Sequence, residues 1–189
     1  MSIPATLQRS VTRGRFAVDV ALVVAASAII AIAAQVAIPM PFSPVPLTLQ
    51  PLAVIFIGAA LGSRRGAAAA SLYLLEGISG LPVFAQAHGG AVWLLGPTAG
   101  YLYSYPFAAF VAGWLSERGW GNTMARSIVG MLAALVVIYA GGWSWLVQFA
   151  GVRGALAMGV APFIAADVIK VAIGAALLPY AQRLLSRVA

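Results

Sequence analysis

The sequence contains no cysteine and a single histidine, His88. Without thiols there are no disulfides, and one imidazole excludes a His-rich metal centre. Charge is scarce as well. Only 8% of the 189 residues are charged, four of them are acidic, and Lys170 is the only lysine. A soluble domain carries roughly 25% charged residues. The chain has no GxxxxGK[ST] loop for nucleotide phosphates, no HExxH pair for zinc and no GxSxG nucleophile elbow. No nucleophile–base pair is evident either. No catalytic residue, metal or cofactor is therefore expected, and the chain is not read as an enzyme.

Apolar residues take the place of charge. They make up 62% of the chain, and the mean hydropathy is +0.99. A water-soluble globule of this size cannot bury so much apolar surface, so the composition points to an integral membrane protein in contact with the lipid bilayer. Between Phe16 and Ser63 the only charged residue is Asp19, and none occurs from Gly77 to Ser116 or from Ser127 to Val152. A span needs about 20 mostly apolar residues. Cutting the runs at Pro, Gly and Arg clusters gives one all-α domain over 1–189, with six transmembrane helices near 17–38, 49–63, 66–79, 98–116, 127–148 and 160–182. The first run is too long for a secretory signal and is followed by five more.

The net charge of +7 would suggest nucleic acid in a soluble protein, but here the basic residues sit in short tracts between apolar runs. Arg9, Arg13, Arg15, Arg64, Arg65, Arg118, Arg126, Arg183 and Arg187 all fall on one side of a six-span arrangement, and only Arg153 falls on the other. The positive-inside rule places that side, and both termini, in the cytoplasm. No nucleic-acid partner is expected.

The segments left outside are 39–48, 80–97 and 149–159. Pro39, Pro41, Pro44 and Pro46 make the first stiff and extended. The second holds Gly80, Pro82, Gly89, Gly90, Gly96 and Pro97. Both read as parts of a binding mouth, with 39–48 as its lid.

Asp167 and Lys170 are the strongest local signal. Pro162 suits the first turn of a helix, and a spacing of three puts both charges on one helical face. Charges inside a membrane are expensive and face a cavity or a partner. The pair either pins the bundle as a salt bridge or meets a ligand, and the two roles are compatible. Glu76 is expected to reach the interface, and Asp19 to pair with Arg15 at i−4. Ala17, Ala21 and Ala25, like Gly58 and Gly62, recur at four-residue spacing. Such stripes allow close helix approach in lipid, within the bundle or against another subunit.

Four segments carry a resemblance: Pro44-Val-Pro-Leu-Thr-Leu-Gln50, Gly80-Leu-Pro-Val-Phe-Ala85, Gly96-Pro-Thr-Ala-Gly-Tyr-Leu102 and Pro162-Phe-Ile-Ala-Ala-Asp-Val-Ile-Lys170. In order and spacing they resemble the hallmark motifs of the BioY family, the biotin-specific substrate-binding (S) components of energy-coupling factor (ECF) transporters. Ala99 departs from the family's more usual second glycine, and Glu76 stands where an uncharged residue is usual. The resemblance implies a six-helix protein of a prokaryotic cytoplasmic membrane that captures biotin from outside with high affinity. It also implies two kinds of partner, a transmembrane coupling protein and a pair of ABC-type ATPases. An S component for another vitamin, or a self-sufficient secondary carrier, remains the alternative.

On that reading, a carboxylate accepts from the ureido N–H groups of biotin and an ammonium donates to its carbonyl. Asp167 and Lys170 are the expected pair, with Lys170 on the biotin carboxylate as the other assignment. Phe84, Trp93, Tyr101 and Phe163 are the expected apolar walls. Thr48, Gln50 and Gln86 either hydrogen-bond the ligand or tie the loops together. The biotin carboxylate is expected at the Gly96–Gly100 turn or at Arg153. The resemblance makes Ala17, Ala21 and Ala25 the docking face for the coupling protein.

Overall fold

The computed structural model describes residues 5–186, with side chains from residue 16 onward. Six helices carry the fold: α1 (Ala5–Gln35), α2 (Gln50–Leu61), α3 (Ser63–Ile78), α4 (Ala99–Leu115), α5 (Met124–Gly159) and α6 (Ile164–Leu185). Three of them contain stretches long and apolar enough to cross a membrane: Phe16–Gln35 of α1, all of α5 and all of α6. Their outward faces are apolar, with Ile29, Ile32, Val136, Ile169 and Ile173 all exposed.

α2, α3 and α4 are shorter, at 12, 16 and 17 residues, and their packing depends on the absence of side chains. A Cβ on Gly58 would collide with the backbone of Ala109 in α4. One on Gly66 would meet the Gly58 backbone, and one on Gly113 would meet Gly62 and Ser63. Three helices therefore approach backbone to backbone, which is how helices gain dispersion contacts where lipid offers no hydrophobic drive. Ala17, Ala21 and Ala25 behave differently, since all three are exposed on α1. Of the two small-residue stripes, one packs the bundle and the other faces outward.

The departures from expectation have local causes. The extended 39–48 segment is part of an antiparallel hairpin, β1 (Ala37–Met40) and β2 (Ser43–Thr48), so the fold is not purely helical. Prolines 39, 44 and 46 keep themselves and their preceding residues extended. They are tolerated because a two-stranded ribbon has only edges. Ala37 pairs with Thr48, Ile38 with Leu47 and Met40 with Ser43, with an irregularity between Ile38 and Met40.

The 149–159 segment is not a connector. α5 continues through it to Gly159, interrupted only at Gly151, where φ is +66°. Glycine adopts that conformation without strain. Asp19 bonds Arg65 at 2.5 Å. α1 and α3 start at the same end of the bundle, which brings these two charges together across the helix pair. The Arg15 side chain lies outside the described residues, as do those of Arg9, Arg13 and Arg187.

The two ends of the bundle differ. One end carries Arg64, Arg65, Arg118, Arg126 and Arg183. There the Glu117 carboxylate accepts from the Ser63 backbone N–H at 2.7 Å and from its hydroxyl at 3.0 Å. A side chain from another helix thus caps the start of α3, satisfying a donor that has no partner within that helix. The hairpin, the 79–98 segment and the α5–α6 turn gather at the opposite end.

Candidate functional site

At that opposite end a cavity of about 290 Å³ opens between the hairpin, the 84–98 segment, α5 and α6. All nine residues picked from the sequence as ligand contacts line it: Thr48, Gln50, Phe84, Gln86, Trp93, Tyr101, Phe163, Asp167 and Lys170. They come from five separate stretches of chain. Tyr105, Tyr139 and His88 also line it and were not picked from the sequence as ligand contacts.

Asp167 lies in the first turn of α6 and is 3% exposed. Lys170 follows one turn later. Its ammonium donates to Asp167 Oδ1 at 2.8 Å and to the Thr48 carbonyl at 2.6 Å. The second carboxylate oxygen, Oδ2, accepts from the Tyr139 hydroxyl at 2.7 Å. The pair therefore carries no net charge, and neither group is left bare where an isolated ion would be very costly. Among the described residues, one ammonium donor and the remaining lone pairs of the carboxylate have no protein partner. The pair can thus offer a donor and acceptors together, from one helix face, with no net charge.

Around this polar floor the wall is apolar and aromatic. Phe163 and Phe84 are buried, at 5% and 3% exposed. Phe84 meets Tyr73 edge-on with ring centroids 5.6 Å apart, and its ring fills the space where Gly77 has no side chain. Trp93 stacks on His88 at 3.8 Å with the planes 20° apart. Tyr101 is tied down by its hydroxyl, which donates to the Gly159 carbonyl at 2.7 Å, and Gly142 leaves room for its ring.

The three polar residues divide. Gln50 is buried and donates to the Tyr73 hydroxyl at 2.7 Å, while Thr48 Oγ1 accepts from the Gln50 N–H at 3.3 Å. These two brace the start of α2. Gln86 makes no side-chain hydrogen bond among the described residues and lies on the exposed rim.

Several expected participants lie elsewhere. Arg153 is exposed on α5 and does not line the cavity. Of the Gly96–Gly100 turn, Thr98 reaches the wall. Glu76 is partly buried and accepts from Ser27 of α1 at 2.5 Å, so it joins α3 to α1.

The rim has a feature that spacing alone does not reveal. Gln86 and Ala87 both adopt the left-handed conformation, with φ of 62° and 57°. Non-glycine residues held there cost on the order of 1–3 kcal/mol each and persist only when their surroundings over-determine them. The Gln35 amide supplies that restraint. Its Nε2 donates to the carbonyls of Val83 at 3.3 Å and Phe84 at 3.1 Å, and its Oε1 accepts from the Ala87 N–H at 2.9 Å.

A helical bundle with membrane-length apolar helices and a part-enclosed cavity, its neutral ion pair at the floor and aromatics on the walls, has the form of a membrane-embedded small-molecule binding protein. The comparisons narrow that class. The chain belongs to the BioY family, whose model it matches over residues 5–187. A protein of Rhizobium etli named biotin transporter BioY is 39% identical over 160 residues, covering 80% of this chain and 86% of the relative. Another biotin transporter BioY, from Thermotoga maritima, is 39% identical over 150 residues, covering 79% and 86%. The solved crystal structure of an S-component for biotin from an ECF-type ABC transporter superposes with a TM-score of 0.77. That match covers 98% of this chain and 95% of the other, at 23% identity. The chain is thus similar to prokaryotic transport proteins of the membrane and shares the S-component fold.

Proposed function

We propose that the protein captures biotin at the described cavity and serves as the substrate-specific component of an ECF-type transporter in the cytoplasmic membrane. The observation that carries this reading is the Asp167–Lys170 pair. A neutral pair presenting acceptors and a donor is complementary to a neutral head with two N–H groups and one carbonyl, which describes the ureido ring. A net-positive floor would favour a carboxylate instead. The fused ring and valerate chain fit the walls formed by Phe84, Trp93, Tyr101 and Phe163. The carboxylate end then lies toward the rim, near Thr98 and Gln86. Family membership and the relatives' names support biotin over another vitamin.

The six helices act as six spans with both termini inside. The arginine-rich end supports that orientation, and it leaves the cavity facing outward. The protein binds and hands over its ligand without changing it chemically, so it is not an enzyme. Exposed Ala17, Ala21 and Ala25 form the face that meets the transmembrane coupling protein, and a pair of ABC-type ATPases supplies the energy.

Titration of the purified, ligand-stripped protein in detergent tests the reading. Tight one-site binding of biotin, with no response to riboflavin or thiamin, is the expected result. A folded protein that ignores biotin would remove the assignment and favour another vitamin. Biotin methyl ester binding nearly as well as biotin supports the ureido orientation. A methyl ester that loses affinity in the wild type, but not relative to biotin in Lys170→Ala, would put Lys170 on the carboxylate.

A further inference from the structure

We propose that Gln35 is a positioning residue for ligand retention: it holds the strained 84–88 loop in the one shape that walls the cavity. The inference rests on the biotin reading above. Phe84, Ala85, Gln86 and His88 of this loop all face the cavity. To present them, the chain turns through two consecutive left-handed non-glycine residues. Within the loop, the Phe84–His88 bridge is the backbone bond that opposes relaxation, with the Phe84 N–H donating to the His88 carbonyl at 2.9 Å. The remaining restraint comes from α1.

Gln35 is placed to act on both limbs at once. Its amide nitrogen reaches the carbonyls that precede the strained pair, and its amide oxygen takes the N–H of Ala87 inside that pair. Nε2 also lies 3.1 Å from the Ala31 carbonyl, so its two N–H groups are shared among three acceptors and the side chain is anchored to its own helix as well. Gln35 itself is exposed and does not line the cavity, so it fills no core space. It acts through the loop.

Its place in the chain adds a second link. Gln35 is the last residue of α1, and β1 begins two residues later at Ala37. The Val36 carbonyl accepts from the Leu49 N–H at 3.3 Å, closing the hairpin at the same point. Two walls of the mouth, the hairpin and the 84–88 loop, are therefore tied to the C-terminal end of α1. Without the Gln35 amide, Gln86 and Ala87 relax towards right-handed conformations, and the wall beside Trp93 opens. Ligand escape accelerates, while entry through an already open mouth changes little.

The test uses the full chain in detergent with labelled biotin, following association and dissociation separately. Gln35→Ala is expected to raise the dissociation rate about tenfold, the loss of little more than one net hydrogen bond, with the association rate and thermal midpoint nearly unchanged. Adding Ala87→Gly to Gln35→Ala is expected to restore most of the retention, because glycine adopts positive φ without strain. An unaltered dissociation rate in Gln35→Ala overturns the proposal. So does a faster rate that Ala87→Gly leaves uncorrected, since the loop conformation is then not what Gln35 controls. Wild-type protein that binds no biotin would overturn the ligand reading itself, and that measurement comes first.

Discussion

The Tyr139 hydroxyl donates to Asp167 Oδ2 at 2.7 Å, the carboxylate oxygen that Lys170 leaves free. α5 thereby fixes the carboxylate of α6, and each oxygen has one protein donor. Its plane is set before any ligand arrives, so ordering it costs nothing on binding. Tyr139→Phe keeps the ring and removes the bond. Biotin affinity is expected to fall about tenfold, the scale of a hydrogen bond to a charged group. Calorimetric titration of both proteins measures it. An unchanged affinity would mean that Lys170 alone orients the carboxylate.

Lys170 and Asp167 neutralise each other in a buried setting. Breaking such a pair strands the other charge, at a cost of about 3–5 kcal/mol. Lys170→Ala is therefore expected to lower the thermal midpoint as well as abolish binding. Asp167→Asn with Lys170→Met removes both charges together. That double variant is expected to recover most of the stability and none of the binding. Thermal unfolding in detergent alongside biotin titration separates the two effects. Recovery of binding in the uncharged double variant would exclude the pair from ligand recognition.

Much of this site was legible in the sequence, for a physical reason. A charged pair three residues apart in an apolar run has few explanations, and aromatic residues in Gly/Pro-rich segments stand out against aliphatic helices. The fold was legible in outline through the spacing of arginine tracts. Other parts depend on contacts between distant residues. Tyr139 looks like any apolar-helix tyrosine until α5 and α6 pack. Gln35 and Glu117 are single polar residues whose partners lie 48–52 and 54 positions away. The hairpin was missed because four prolines indicate extension without indicating pairing. The 149–159 helix was missed because Gly151, Arg153 and Gly154 read as a loop, whereas one glycine kink suffices there.

Gly58 and Ala21 look alike in the sequence but differ in their surroundings. Gly58 is buried against the Ala109 backbone, which cannot yield as a flexible side chain would. Gly58→Ala is expected to cost about 1–3 kcal/mol through overpacking, read as a lower thermal midpoint in detergent. A midpoint equal to that of the wild type would mean that α2 and α4 separate readily, and the close approach would not hold the bundle together.

Ala21→Leu places its larger side chain on the exposed face of α1, where no described residue covers it. The thermal midpoint and biotin affinity are expected to match the wild type. If the alanine stripe meets the coupling protein, the extra bulk disrupts a contact that needs small residues for close helix approach. Co-purification with that partner should then fall, and ATP-dependent biotin uptake in cells should fall with it. Ala17→Leu and Ala25→Leu, on the same face, should act in the same direction. Full uptake in all three variants would move the docking face off this stripe. A loss of biotin binding alongside uptake would instead trace the defect to the cavity.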